Sequence, residues 1–236
     1  MAINGDALLQ AARGTVFTAP AKTTIPTAGV KQFLLNSGSV KVGTADTPVW
    51  DNLGHTSNSN KISFSKDGGD TTTIDTWLMA AARTSTEAPT ITVSGASVQG
   101  DKATLKKVTG GWDGDHGGVI VPIKPIVQKL ALFVLAYDDG DKLSFGLYLP
   151  ETDFTFDTID LTGDEFAEFS FNAVVKSTDA LKKGPNGETG GYALFSPEDF
   201  AADGGGLPAT VEAGKDIRLA GQPSTLGGVK LPAPTA

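Results

Sequence analysis

The sequence predicts a mainly β protein: two packed antiparallel β-sheets in a barrel-like sandwich, with one flanking α-helix. Three observations carry this. Apolar residues alternate with polar ones along Leu143, Phe145, Leu147 and Leu149, then Phe154 and Phe156, then Phe169 and Phe171. Successive side chains of a strand point to opposite faces, so this pattern describes sheets with one apolar and one polar side. The 29 glycines and 13 prolines punctuate the chain into short runs, as turns between strands require. Finally, strand-like runs lie on both sides of a single helical pattern, the arrangement of a sheet pair with one helix against it.

Taken in order, Asp6 followed by Ala7 to Arg13, with Gly14 behind, has an N-cap acid, good helix formers and a terminating glycine. It predicts a helix of about two turns, too short to persist without docking, for instance on a neighbouring subunit. Thr15 to Gly29 carries Pro20 and Pro26 and reads as an extended arm. Strands are expected at Val30–Leu35, Trp50–Leu53, Lys61–Lys66, Thr72–Trp77, Thr90–Ser94 and Val119–Ile123. The strongest are Gln128–Tyr137, Lys142–Leu149, Asp153–Ile159 and Glu168–Lys176. Asp138-Asp139-Gly140-Asp141 joins the first two of these, Asp-Gly being a strong hairpin signal. Pro150 and Thr162-Gly163-Asp164 should break the later ones. The mid-chain helix has Asp101 as N-cap, Leu105 and Val108 on one face, and Gly110-Gly111 as its stop. From Ala201 the chain is rich in Gly, Pro and Ala and reads as a tail. No repeat at a fixed period is visible. The expected organisation is therefore an N-terminal short helix and arm (1–29), a β-domain (30–180) and a Gly/Pro-rich C-terminal extension (181–236).

Charge narrows the function. Between Tyr137 and Ser170 ten acids face one base, Lys142, a formal −9 in a chain whose total is −8. A pI near 4.7 argues against a phosphate binder, which needs clustered Lys and Arg. Without cysteine there is no disulfide framework and no thiolate metal site. Met1 to Arg13 lacks the basic and apolar regions of a secretory signal, and no apolar run approaches the ~20 residues of a membrane helix. A soluble protein made in the cytosol is the expectation.

Chemical motifs are weak. Trp112-Asp113-Gly114-Asp115-His116-Gly117-Gly118 offers hard oxygen ligands but lacks the later ligands and closing Glu of an EF-hand, so it reads as a Gly-rich loop. Asp67-Gly68-Gly69-Asp70 is most simply a turn. His55 and His116 are the only histidines, and neither has a G-x-S-x-G elbow near it. No phosphate-cradling glycine motif is present, and carboxylates are too many for any pair to be diagnostic. The reading is of a non-enzyme with no cofactor and no metal. A rival places a surface-exposed carbohydrate-binding β-sandwich around Trp50, Trp77 or Trp112, although scattered aromatics more often pack in cores or interfaces.

Several stretches together resemble the major tail-tube proteins of long-tailed phages with flexible tails. They are Ala19-Pro20 with Ile25-Pro26-Thr27, Trp50-Asp51-Asn52-Leu53-Gly54-His55-Thr56-Ser57, Phe64 to Asp70, Thr76-Trp77, Arg83-Thr84-Ser85, and Pro125 to Tyr137 with Leu149-Pro150. The resemblance covers most of residues 14–178; the region from Lys182 has no counterpart in it. It implies a structural virion protein of the tail. Six protomers would close into a ring, and stacked rings would form a hollow tube. Tape-measure protein would fill the lumen during assembly, with tail terminator and distal tail proteins as further partners. DNA would cross the lumen without specific binding during genome ejection, and no membrane would be involved. An acidic face suits such a bore, because like charge denies phosphates an ion pair, over a Debye length of about 8 Å. Asp153, Asp157 and Glu168, with Ser170 and Asn172, alternate with Phe154, Phe156, Phe169 and Phe171 and are the lumen-facing candidates. A solvated outer face would alternate in the same way. The loops Asn36–Pro48 and Asp67-Gly68-Gly69-Asp70 are the inter-ring contact candidates.

Overall fold

A computed structural model of the chain describes residues 8, 10–27, 29–34, 41–44, 47–138 and 144–201. In chain order the strands are β1 (Arg13–Pro20), β2 (Lys41–Thr44), β3 (Thr47–Asn52), β4 (Ser63–Asp67), β5 (Thr71–Thr76), β6 (Met79–Thr86) and β7 (Thr90–Ser97). After helix α1 (Lys102–Thr109) come β8 (Trp112–Asp113), β9 (Val119–Ile120), β10 (Gln128–Tyr137), β11 (Ser144–Asp160), β12 (Glu168–Val175), β13 (Ala193–Phe195) and the short helix α2 (Pro197–Ala201). One antiparallel sheet runs in the order β2-β3-β1-β10-β11-β12-β7-β4, with β13 beside the first part of β11. Two small ribbons, β5-β6 and β8-β9, stand apart from it.

The layers of the sandwich are regions of this one sheet, and β11 joins them. Its Ser144–Leu149 half pairs with β10, and its Thr152–Asp160 half carries β12. Pro150 does not end the strand. Between the pairs Leu132↔Leu149 and Leu130↔Thr152, Pro150 and Glu151 together oppose Ala131, which is a β-bulge. A proline is tolerated there because the extra residue owes no ladder donor. The bulge also switches parity: Leu147 and Leu149 lie in one core, and beyond it Phe154 returns to the same core. The shift from odd to even apolar positions in the sequence is this bulge.

Both faces of the central strands are buried. On one, Phe17, Ala131, Phe133, Leu135 and Tyr148 pack with Phe33, Trp50 and Phe200. On the other, Val16, Leu132, Val134, Leu147, Leu149 and Phe154 meet Val93, Phe171 and Ala173 of β7 and β12, with Val108 of α1. The sheet therefore doubles over onto itself. The path does not close into a barrel, since β2 and β4 lie at its two ends.

Several expectations are corrected. Arg13 opens β1, and β1 is an inner strand paired with β10 and β3, neither helix nor free arm. Its run Thr15 to Ala19 is wholly buried, and burial on both sides overrides the helix-like local signal. Leu8, Gln10, Ala11 and Ala12 are not helical; the rest of the expected first helix, Asp6, Ala7 and Leu9, lies outside the described residues. Residues 21–27 lie across the chain's own core, tied down by Trp50 Nε1 donating to Thr24 O (3.2 Å) and Tyr148 OH to Thr23 O (2.6 Å). Val30–Phe33 is a 3-10 helix, not a strand; it inserts Phe33 stacked on Phe133 at 3.9 Å. Lys41–Thr44 and Thr47–Asn52 form a β-hairpin where a loop was expected, while Asn36–Val40, Ala45 and Asp46 lie outside the described residues. Tyr137 pairs with Ser144 across the expected hairpin, whose Asp139–Leu143 turn also lies outside them. Met79–Thr86 is a strand that the sequence did not announce. Helix α1 is as expected: Asp101 accepts from the Ala103 and Thr104 amides, and Gly110 ends the helix in the left-handed region at φ 66°.

Candidate assembly surfaces

Register decides what each candidate residue faces. Across the folded-over half, Phe154↔Ala173↔Val93↔Phe64 runs on the apolar side, and Thr155↔Asn172↔Ser94↔Ser63 on the other. The second side continues with Asp153, Val174, Thr92 and Ser65, and with Lys129 opposite Asp153. This is a wall of hydroxyls and amides, with Ser63 bonded to Ser94 at 2.8 Å and Thr155 Oγ1 donating to Asn172 O at 3.3 Å. The upper part of the same sheet face is apolar and covered by the 3-10 helix and α2; this lower part is half-exposed to exposed.

Asp153 lies on this wall, half-buried and paired with Lys176 at 2.8 Å. Asp157 is exposed, in a second bulge where β11 shifts register between Phe156 and Ile159. Glu168 departs from the expectation. Its parity puts it on the same side as Ser170 and Asn172, yet it is only 5% exposed. Ser57 Oγ and the Asn60 amide both donate to its carboxylate. The segment Ser57–Asn60 covers it, so its charge holds a loop and does not face solvent.

Asp67-Gly68-Gly69-Asp70 is the place where the chain leaves the main sheet for the β5-β6 ribbon. Gly68 (φ 75°) and Gly69 (φ 87°) make the turn in a backbone region that side chains disfavour. The Glu87 amide donates to Asp70 O at 3.0 Å and closes this neck. Every residue of β5 and β6 is exposed. Thr76 and Met79 pair across the tip, where Trp77 and Leu78 are 104% and 100% exposed. Below the tip Ala81 sits at φ 55°, its amide donating to Asp75 Oδ1 at 2.6 Å. Trp77 was on the page of the sequence, but only as an aromatic at the end of a strand. What the sequence lacked was any sign that its neighbours Met79 to Ala82 would form the return strand.

The remaining motifs are accounted for locally. Trp112–Gly118 belongs to the β8-β9 hairpin, and Asp113 binds Lys102 and Lys106, each at 2.8 Å. Those two ammonium groups hold its carboxyl down to about 2. His55 and His116 are exposed. Trp50 is 1% exposed and packs edge-on against Phe33 and Tyr148, so it cannot serve a sugar platform. Among the described residues no group of three or more His, Asp or Glu could hold a metal ion, and no helix is long and apolar enough to cross a membrane.

A doubled-over sheet whose two ends are unpaired among the described residues, a half-exposed polar wall and a projecting ribbon tipped by tryptophan define a β subunit built to join other subunits. The phage tail tube protein family matches residues 1–183, and the chain belongs to that family. It is accordingly a structural component of the virion tail that self-assembles into a tube, not an enzyme. A comparison with curated proteins found no match.

Proposed function

We propose that six copies close into a ring, that the rings stack into the hollow tail tube, and that the polar wall bearing Asp153 and Asp157 lines the bore. The observation that carries this reading is the wall itself. A sheet that buries Phe154, Phe171 and Val93 on one side leaves Ser63 and Ser65 exposed and Thr92, Ser94, Asn172 and Thr155 half-exposed on the other. Hydroxyls and amides hold water, and acids repel phosphate. Of the two ammonium groups on the wall, Lys176 is engaged by Asp153 and Lys129 lies opposite the same carboxylate in the ladder. Such a surface gives a passing polyanion little to exchange its counterions for. During assembly the bore would hold tape-measure protein, and tail terminator and distal tail proteins would close the ends.

Open sheet ends support closure into a ring. The exposed edge of β4 is a template for another strand, and pairing it within a ring removes the aggregation hazard. Asp67-Gly68-Gly69-Asp70, as the neck of the ribbon, is proposed to sit at the junction between rings.

Negative-stain microscopy of the purified protein at high concentration is the test. Hollow tubes or six-fold rings are expected, and solitary globules at every concentration would overturn the reading. For the bore, Asp153→Lys with Asp157→Lys is expected to leave the tubes intact and slow DNA release from virions. Rapid labelling of cysteines placed at 153 and 157 by a reagent too large to enter an intact tube would put those positions on the outside.

A further inference from the structure

We infer that the tip of the β5-β6 ribbon, Trp77 and Leu78, docks on a second copy of this chain at the apolar segment carrying Trp112, Ile120, Ile123 and Ile126. The inference rests on the tube reading and names the surface that receives the ribbon.

The first argument is placement. Strand β7 runs from Thr90, beside the ribbon's neck, to Ser97, four residues before the α1 cap Asp101. The ladder Gln128↔Phe154↔Ala173↔Val93 sets the start of β10 level with the middle of β7. β10 runs from there towards the neck's end of the ladder, so Val127 and Ile126, which precede it, lie towards Ser97. Counted along the ladder, Ile126 comes level with Gly95, so neck and apolar segment leave the strands about five residues apart, roughly 17 Å at about 3.3 Å per residue. Ribbon and segment are therefore distinct surfaces of one chain. Repeated between copies, they give a head-to-tail stack.

The second argument is exposure. Trp77, Leu78 and Ile123 are 104%, 100% and 104% exposed, and Trp112, Ile120 and Ile126 about half so. Buried, the tip would remove roughly 400 Å² of apolar surface, half of the ~800 Å² per partner of a stable pairwise complex. Such a contact is too small to hold two lone molecules. Multiplied around a ring it suffices, which favours another copy over a separate partner.

The third is charge. The neck carries Asp67, Asp70 and Glu87 against Lys66. The same far end offers a second apolar spot, Leu161 and Phe166, but Asp160, Asp164 and Glu165 surround it and would repel the neck. In the Trp112–Ile126 segment Asp113 and Asp115 are offset by Lys124 and by Lys102 and Lys106, which pair with Asp113. This site lacks the excess of acid that surrounds the other.

The chain has no cysteine, so engineered thiols report cleanly. Leu78→Cys with Ile123→Cys, both at exposed positions, is assembled and mildly oxidised. A ladder of covalent multimers is expected, with neither single variant cross-linking. Dimers from Leu78→Cys alone would mean that tips meet tips and would overturn the inference. Tubes without a double-variant ladder would overturn it while leaving the tube reading intact; failure of the parent protein to form tubes would sink both. As a second readout, Trp77→Ala/Leu78→Ala and Ile123→Glu are each expected to stop stacking. Mixed, they should form paired units that grow no further, and a mixture that stays unpaired would contradict the assignment.

Discussion

Glu168 shows how far a single side chain can be read without its partners. Its carboxylate accepts from Ser57 and Asn60, 111 and 108 positions away in the chain. No local pattern announces such a pairing, so alternation alone put the residue on a bare wall. Glu168→Ala leaves the buried Ser57 hydroxyl and the exposed Asn60 amide without their acceptor and is expected to cost about 1–3 kcal/mol in urea unfolding. Asp101 is the opposite case. Its partners, Thr104, Gln99 and the Ala103 amide, lie within three residues, and the cap was legible in the sequence. Asp101→Ala is expected to lose about 1 kcal/mol. Hydrogen bonds from Thr104 and Gln99 hold the Asp101 carboxyl down to about 2, below its ordinary 3.8. A depressed carboxyl stabilises the fold fully above the unfolded value. That contribution should therefore be present above about pH 4 and vanish as pH falls towards 2, and Asp101→Asn should flatten this part of the acid titration. Phe33, which also meets Phe17 and Trp50 edge-on, was legible as apolar but not as the plug it forms. Phe33→Ala should cost about 3–5 kcal/mol.

At the scale of elements, the sequence displays what is local or periodic and hides what is conferred by neighbours. β10 was legible from end to end because its run of apolar residues suits a strand buried on both faces. β6 was hidden, since Met79-Ala80-Ala81-Ala82 favours a helix and becomes a strand only by pairing with β5. Pro150 was read as a terminator because its missing donor is a local fact, whereas the bulge that absorbs it exists only in the ladder. The bulge makes a sharp expectation. Deleting Pro150 would remove the extra residue and turn Thr152, Phe154 and Phe156 to the opposite face, exposing two phenylalanines and burying Asp153. Pro150→Ala keeps the count and should be tolerated. Soluble yield and thermal unfolding would separate the two, and equal behaviour would mean that the bulge does not set the register.

At the scale of the whole molecule, the main β class, the helix and the family were legible, because order and spacing of many modest signals survive even where single elements are misread. The doubling of one sheet was not, for it depends on a 17-residue strand that the sequence seemed to divide. Edges and ribbon are the surfaces a lone chain leaves unfinished, so stability should rise with assembly: the melting temperature is expected to increase with protein concentration for the parent, and less steeply for Trp77→Ala/Leu78→Ala, which can close rings but not stack them. The paired glycines of the neck carry one more implication. A Cβ at Gly68 would meet nothing within 4 Å, and both residues occupy left-handed backbone geometry. Where the ribbon spans two rings, curvature of a tail would concentrate in these swivels, leaving the folded bodies rigid. Alanine at both sites should make micrographs show straighter tails of unchanged ring spacing, and tails equally curved would locate the pliancy elsewhere.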